Sequence, residues 1–297
     1  MNQIATKITV FTPSFNRAYC LSQVYESLLR QTCKEFIWLI IDDGSSDNTK
    51  ELVASWIDEK KIAIEYVFQL NQGMHGAYNT AYDNIQTELN VCIDSDDYLT
   101  DDCIEKIILF WEEYGNNRYA GIVGLDATKD GTILGKEMPK NIKSATLEDL
   151  YYKYKINGDK KLVYRTEIVK KYPKYPIFER ESFVPLGSLY LQIDKDYELL
   201  CLNEVLCIVE YLEDGSSRNI FKQYVRHPKG FRYARLIEMQ FSNYFKIRWK
   251  AAIHHVSCNL FLKQYNFFKN NPYFIPTFFA IPFGILLNLY IKYRNKN

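Results

Sequence analysis

The chain has 297 residues, 47% hydrophobic and 25% charged, proportions of a globular protein that exclude the disordered and fibrous classes. Its length suits one large domain, or one domain with an appendage. The formal net charge of +1 hides two blocks: residues 218–297 carry 14 Lys and Arg against one acid (Glu238), net +13, leaving 23 against 35, net −12, in the first 217. A basic block of this kind suits nucleic acid, anionic lipid or a phosphorylated substrate. The seven Cys, at 20, 33, 92, 103, 201, 207 and 258, form no C-x-x-C pair, which predicts a reduced, cytosolic chain with cysteines as small core residues. Met1 to Lys7 holds no long apolar run, so no secretory leader is expected.

In chain order, Ile8–Phe11 is a short apolar run that predicts a buried strand. Leu21, Val24, Tyr25, Leu28 and Leu29 then recur at helical spacing. Phe36–Ile41 predicts a second strand. Leu52, Val53, Trp56 and Ile57 mark a second helix, with Ser46 or Asp47 as its N-cap. Ile62–Phe68 predicts a third strand, 76–85 a helix, and Asn90–Ile93 a fourth strand. Ile104, Ile107, Ile108 and Trp111 form another helical face, capped from Asp101 and Asp102, and Ile122-Val123 opens a further strand. Residues 126–217 are less regular. From 218 onward the pattern is amphipathic and helical.

Strands alternating with helices predict a parallel, doubly wound α/β sheet, whose ligands bind beyond the carboxyl ends of the strands. Polar clusters stand where that rule asks for them: Thr12-Pro13-Ser14-Phe15-Asn16-Arg17, Asp42-Asp43-Gly44-Ser45, Asn71-Gln72-Gly73-Met74-His75 and Asp94-Ser95-Asp96-Asp97 each follow a strand. Asp94 and Asp96, two residues apart after a strand, can point the same way, and hard divalent cations with nucleotides use such carboxylates. An acidic turn capping the next helix is the bland alternative. Asp42-Asp43-Gly44-Ser45 reads equally as a β-turn or as an acceptor of nucleoside hydrogen bonds. His75 reads as a surface loop residue, and His227, His254 and His255 as structural or surface ones.

Four of these segments carry a resemblance. Ile8 to Arg17, Ser27-Leu28-Leu29-Arg30-Gln31-Thr32, Ile41 to Asp47 and Asp94 to Asp97 together resemble glycosyltransferase family 2, over about residues 5–125. The likeness runs on more weakly through Gly158-Asp159-Lys160, Glu181-Ser182-Phe183-Val184-Pro185 and Glu210 to Arg218, similar to small bacterial members that build surface polysaccharides. It implies a GT-A fold with a mixed doubly wound sheet, a nucleotide-sugar donor (a UDP-sugar foremost), Mg²⁺ or Mn²⁺, and inversion at the anomeric carbon. It places Thr12, Pro13 and Phe15 along the nucleoside, Asp42 on base or ribose, Asp94 near the ribose, and Asp96, with Asp94, on the metal. Arg17, Asp43, Asn79 and Ser95 join the donor-binding set. Inversion needs a general base for the acceptor hydroxyl. The resemblance points to Glu181, with Glu179 second. This chain departs from many members here: it reads Arg180-Glu181-Ser182 in place of two adjacent acids, and Leu186 stands where close relatives carry another. Arg218 is a candidate for the leaving diphosphate, or else the first charge of the basic tail.

Tyr273 to Ile291 is mostly apolar, and its 19 residues would reach about 28 Å as a helix, near a bilayer core of about 30 Å. Pro276, Pro282 and Gly284 are expected to interrupt it, which favours an interfacial or re-entrant element over a full span. The division expected is a catalytic domain over 1–217 and a basic, aromatic-rich, membrane-associated helical region over 218–297. The setting implied is the cytoplasmic face of the inner membrane, with a glycan acceptor on a polyprenyl-phosphate lipid. Nucleic acid is not expected, because the acidic body and apolar end suit lipid better. Two alternatives are a nucleotidyltransferase, disfavoured because Thr12-Pro13-Ser14-Phe15 replaces a Gly-rich loop, and a membrane scaffold with a non-catalytic donor site.

Overall fold

A computed structural model describes residues 6–210 and 220–295. The elements run β1 (Ile8–Ser14), α1 (Ala18–Arg30), β2 (Phe36–Asp42), α2 (Thr49–Glu59), β3 (Ile64–Phe68), α3 (Met74–Asn84), β4 (Leu89–Cys92), β5 (Tyr98–Leu99) and α4 (Cys103–Tyr114). They continue with β6 (Tyr119–Ala127), β7 (Ser144–Ala145), α5 (Leu147–Tyr152), β8 (Lys160–Arg165), α6 (Thr166–Val169), α7 (Gly187–Ile193) and β9 (Glu198–Ile208). Four helices close the chain: α8 (Ile220–Arg226), α9 (Pro228–Phe241), α10 (Phe245–Phe261) and α11 (Phe274–Arg294). Two compact units result. The first takes residues up to Asn71, Ala77–Pro173 and Asp196–Leu212. The second takes Gln72–Gly76, Lys174–Lys195 and the C-terminal residues, so 72–76 and 174–195 group with the helical end and not with the expected 1–217 domain.

In the first unit one sheet runs β3-β2-β1-β4-β8-β6-β9-β5, with β7 on β9. β3, β2, β1 and β4 are parallel, β8 enters antiparallel between β4 and β6, and β9 is parallel to β6. The parallel half is near-continuously apolar, as a sheet covered on both faces requires. α1 lays Leu21, Val24, Tyr25 and Leu28 on it. Tyr25 stacks on Trp56 at 4.5 Å between ring centres, and Trp38 on Trp56 at 5.7 Å. Such pairs add about 0.5–1.5 kcal/mol each beyond burial.

Several motif residues hold this frame. Gln31 is buried, donates to Thr100 O at 2.8 Å and accepts from Ile104 N at 3.1 Å, tying the end of α1 to the start of α4. The Lys160 ammonium donates to the carbonyls of Leu134, Asn157 and Asp159 at 2.8, 3.2 and 3.1 Å, which locks two tight loops together. Asp101 and Asp102 do not cap α4 with their side chains; they pair with Arg30 and Lys106.

In the second unit α10 packs between α9 and α11. The expected break at Pro276, Pro282 and Gly284 does not occur, and α11 is one helix of 21 residues. Pro276 lies in the first turn, where its missing N–H costs nothing. Gly284 serves close packing: a Cβ there would lie 2.5 Å from Val256 Cβ. The contact face of α11 is Thr277, Ala280, Gly284, Asn288 and Ile291, and Asn288 Nδ2 donates to Ser257 O at 3.2 Å. As far as Tyr290 the rest of its surface is apolar and mostly exposed, and Lys292 and Arg294 close the helix.

Candidate functional site

β1, β2 and β4 are neighbours and point the same way, so the loops that follow them leave one sheet edge. Ser14 stands level with Asp42, and Ile93 N extends the ladder by donating to Phe11 O at 3.0 Å. The clusters at 12–17, 42–45 and 94–97 therefore start side by side.

The first two loops are clamped by a residue outside the predicted set. Asn16 sits in the left-handed region at φ 55°, donates its N–H to Ser45 Oγ at 2.9 Å, and accepts from Ser46 N at 2.8 Å through Oδ1. Asp47 closes the same junction, accepting from Ala18 N at 3.1 Å at the start of α1 and from Thr49 Oγ1 at 2.6 Å. Burial pushes its carboxyl up, and the bonds from Thr49 and Ala18 more than offset that, holding it below the usual carboxylate range. An Asn after a strand, followed by Ser-Ser-Asp in the next loop, was the available signal.

Several residues of the expected donor set are buried and have partners inside the fold. Thr12 is fully buried, and its Oγ1 accepts from Trp38 Nε1 at 3.0 Å, so the side chain belongs to the core. Asp42 is also fully buried: Oδ1 accepts from Ser45 N at 2.8 Å, and Oδ2 accepts from the Tyr66 hydroxyl. Burial first, and that bond second, push the Tyr66 phenol well up. Asp43 is buried and accepts from Gln69 Nε2 at 2.6 Å. These two carboxylates shape the turn around Gly44, whose φ of +87° only glycine adopts freely. Pro13 and Arg17 are half-buried, Phe15 is exposed, and Asn79 is half-buried on α3.

The loop after β4 is organised differently. Along Asp94-Ser95-Asp96-Asp97 exposure alternates: Asp94 and Asp96 are half-buried, while Ser95 and Asp97 are buried. The two acids two residues apart thus share the open side. Asp97 accepts from Glu210 N at 3.2 Å, and burial pushes its carboxyl up to about 7 against the pull of Lys161. Beneath lie the buried Asp126 and Lys161, neither predicted as site residues.

The two acids expected as base belong to the second unit. Glu181 Oε2 accepts from Lys229 N at 2.8 Å and Gly230 N at 3.0 Å, and Oε1 lies 3.1 Å from Lys229 N. These are the first orphan donors of α9, whose N-cap His227 provides no side-chain cap. His227 Nδ1 instead accepts from Ser182 N at 3.3 Å. Glu179 is exposed, with Arg180 Nε 3.5 Å away. His75, expected on the surface, is 1% exposed and edge-on to Tyr175, and burial lowers its pKa to about 4. The loop around it cannot stand off: a Cβ on Gly73 would lie 1.9 Å from Ser182 O. Arg218 falls outside the described residues.

The sequence model of the family described as "Glycosyl transferase family 2" matches residues 9–173, more than half of the chain. The chain belongs to glycosyl transferase family 2. An uncharacterized glycosyltransferase of Nostoc sp. is 27% identical over 182 residues, 58% of this chain and 55% of that protein. The GalNAc(5)-diNAcBac-PP-undecaprenol beta-1,3-glucosyltransferase of Campylobacter jejuni is 29% identical over 120 residues, 40% of this chain and 37% of that one. The matches thus span about half or less of the length of these relatives. Among solved structures, S. aureus TarS in complex with UDP-GlcNAc superposes with a TM-score of 0.59 at 16% identity, covering 86% of this chain and 72% of that one. The mannosyltransferase PcManGT of Pyrobaculum calidifontis, in complex with GDP-Man and Mn²⁺, gives 0.56 at 14% identity, covering 94% and 73%. The fold is the GT-A fold that the motifs implied.

Within this family 2 domain, Asp94 and Asp96 could supply only part of a divalent cation's shell. Among the described residues no three His, Cys, Asp or Glu side chains converge as a cage. Two carboxylates on the open side of a loop suit Mg²⁺ or Mn²⁺ whose shell is completed by phosphate oxygens and water.

Proposed function

We propose that this family 2 protein moves a sugar from a nucleoside-diphosphate sugar, a UDP-sugar foremost, to a hydroxyl of a growing surface glycan on a polyprenyl-phosphate lipid, with inversion. The observation that carries the reading is the pair Asp94 and Asp96, half-buried on one side of the loop after β4, beside the loops of β1 and β2. There they would hold Mg²⁺ or Mn²⁺ on the diphosphate, and the ion would take up charge on the leaving group. Phe15, Pro13, Arg17, Asn79 and Ser95 are the groups proposed around the donor, over a floor whose shape Thr12, Asp42 and Asp43 fix from the core.

For the base, Glu181 and Glu179 divide the work. Glu181 has its carboxylate engaged by the N-terminus of α9, so we assign it to anchoring. Glu179 is assigned the proton transfer. Glu179→Gln should lower turnover by roughly 10²–10⁴ with donor binding unchanged; a loss of donor binding with normal turnover removes the assignment.

The second unit is proposed to lie on the cytoplasmic surface of the membrane. Phe278, Phe279, Phe283, Leu286 and Leu289 of α11 are exposed. By length and composition α11 could cross a bilayer, yet one face is packed on α10, which suits an interfacial helix. From 220 to 295 the only acid is Glu238, and it is paired with Arg235, leaving a cationic rim for anionic headgroups.

Thermal unfolding with UDP, GDP, CMP or dTDP, each with and without Mn²⁺, tests the donor site. A ligand at a hundred times its Kd adds about 2.7 kcal/mol, a shift of roughly 5–10 °C. The expected result is a metal-dependent shift with one nucleotide that Asp96→Ala removes. A shift that survives Asp96→Ala, or no shift with any nucleotide, overturns the assignment.

A further inference from the structure

β8 carries two adjacent lysines that point to opposite faces of the sheet, as neighbours on a strand must. Lys160 goes to the carbonyl cluster already described. Lys161 goes under the acidic loop. The register shows why: β8 pairs Val163 with Val91 of β4 and Lys161 with Gly124 of β6. Two steps back from Val163, Lys161 comes level with the exit of β4, where the Asp94–Asp97 loop begins. Its Nζ donates to Cys92 O at 3.4 Å, the last carbonyl of the strand. The side chain is 8% exposed, and the carboxylates acting on it are those of Asp126, Asp97 and Asp94. Asp126 is 3% exposed, and its Oδ1 is buried without a hydrogen-bond partner. An isolated buried carboxylate is strongly unfavourable, and of the two cations that act on Asp126 the ammonium of Lys161 acts more strongly than that of Lys160.

We propose that Lys161 is a positioning residue for the cation site: it tethers the root of the loop and neutralises the inner carboxylates Asp97 and Asp126, so that Asp94 and Asp96 are held toward the donor diphosphate. Without it, the inner acids compete for the incoming cation and the loop loses its anchor. This rests on the donor-site reading above, and it adds that metal-dependent nucleotide binding is set by a residue that touches neither metal nor nucleotide.

The test uses the full chain with Lys161→Met, which keeps length and removes charge, alone and combined with Asp126→Asn. Lys161→Met should lower the melting midpoint by roughly ten degrees, the scale of leaving buried carboxylates without their counter-charge in a chain of this size. Asp126→Asn in that background should recover most of the loss, although in the wild type it lowers the midpoint. Measured well below the midpoint, the affinity for UDP with Mn²⁺ should fall tenfold or more in both Lys161 variants, while the affinity for UDP without metal stays unchanged. A purely structural lysine would lose both affinities together, or neither. Additive midpoint shifts, or unchanged Mn²⁺-dependent binding in Lys161→Met, overturn the proposal. If the wild type binds no nucleotide with metal, the donor-site reading fails, while the Lys161–Asp126 cycle still decides whether the charge pair exists.

Discussion

Glu181 separates a chemical from an architectural role, and two substitutions tell them apart. Its carboxylate receives the N–H groups of Lys229 and Gly230 at the start of α9, a helix whose own N-cap residue provides no side-chain acceptor. Glu181→Ala removes the acceptor and leaves two donors without it, half-buried at Lys229 and buried at Gly230. Loss of an N-cap costs about 0.5–2 kcal/mol, and loss of a negative charge at a helix N-terminus about 0.3–1 more. A total of about 2 kcal/mol corresponds to a midpoint lower by roughly 4–8 °C. Glu181→Gln keeps one carbonyl oxygen for the same donors and loses only the charge. It should cost about 0.5–1 kcal/mol, a shift of roughly 1–4 °C. The assay is differential scanning fluorimetry beside the rate of nucleoside-diphosphate release at saturating donor and Mn²⁺. The anchor role predicts that Glu181→Gln retains turnover within about threefold while Glu181→Ala loses stability. If Glu181→Gln keeps its midpoint and loses turnover by 10² or more, the scale of general-base removal, Glu181 is the base and the reasoning is refuted.

Two further outcomes are expected. Acid should destabilise the protein early: burial lowers the pKa of His75 to about 4 and of His255 to about 4. A depressed folded-state pKa gives stability that is present above the ordinary histidine value of about 6.5 and is lost as pH falls toward 4. Urea titrations at pH 7, 6 and 5 should show stability falling across that window, and His75→Phe should flatten part of the fall; a flat profile from pH 7 to 5 contradicts it. In the second unit, Phe279→Ser with Phe283→Ser should weaken binding to anionic vesicles at least tenfold and leave the midpoint within about 2 °C, because both rings are exposed. Unchanged co-sedimentation would exclude this face as the lipid contact.

The parallel half of the sheet was legible because its strands are short apolar runs, each closed by a polar cluster. α1 was legible from Leu21, Val24, Tyr25 and Leu28, which the structure buries together. What escaped depends on contacts distant in sequence. Lys161 looks like one charge in an irregular stretch, and only the pairing of β8 between β4 and β6 carries it under residue 94. Glu181 and the α9 terminus are 48 residues apart. The grouping of 72–76 and 174–195 with the C-terminal helices follows from such contacts as Gly73 on Ser182, which leave no local pattern. Pro282 misled because a proline signals a break, whereas α11, packed on α10, stays helical through it.

Burial also reassigns the acids, and one more substitution tests that logic. The sequence reading puts both Asp42 and Asp96 on the donor, Asp42 at base or ribose and Asp96 at the metal. The structure makes Asp42 an internal acceptor for Ser45 N and the Tyr66 hydroxyl, and leaves Asp96 half-buried on an open loop. Removing a buried acceptor strands its donors, at about 1–3 kcal/mol for each. Asp42→Ala should therefore lower the midpoint by about 5 °C or more, and any nucleotide affinity it loses should return in part with Asp42→Asn, whose amide oxygen still accepts from Ser45 N. Asp96→Ala should do the reverse, with little change in midpoint and no metal-dependent nucleotide binding. If Asp42→Ala keeps its midpoint and loses only nucleotide affinity, Asp42 touches the donor after all, and the division between carboxylates that shape the floor and carboxylates that hold the cation is wrong.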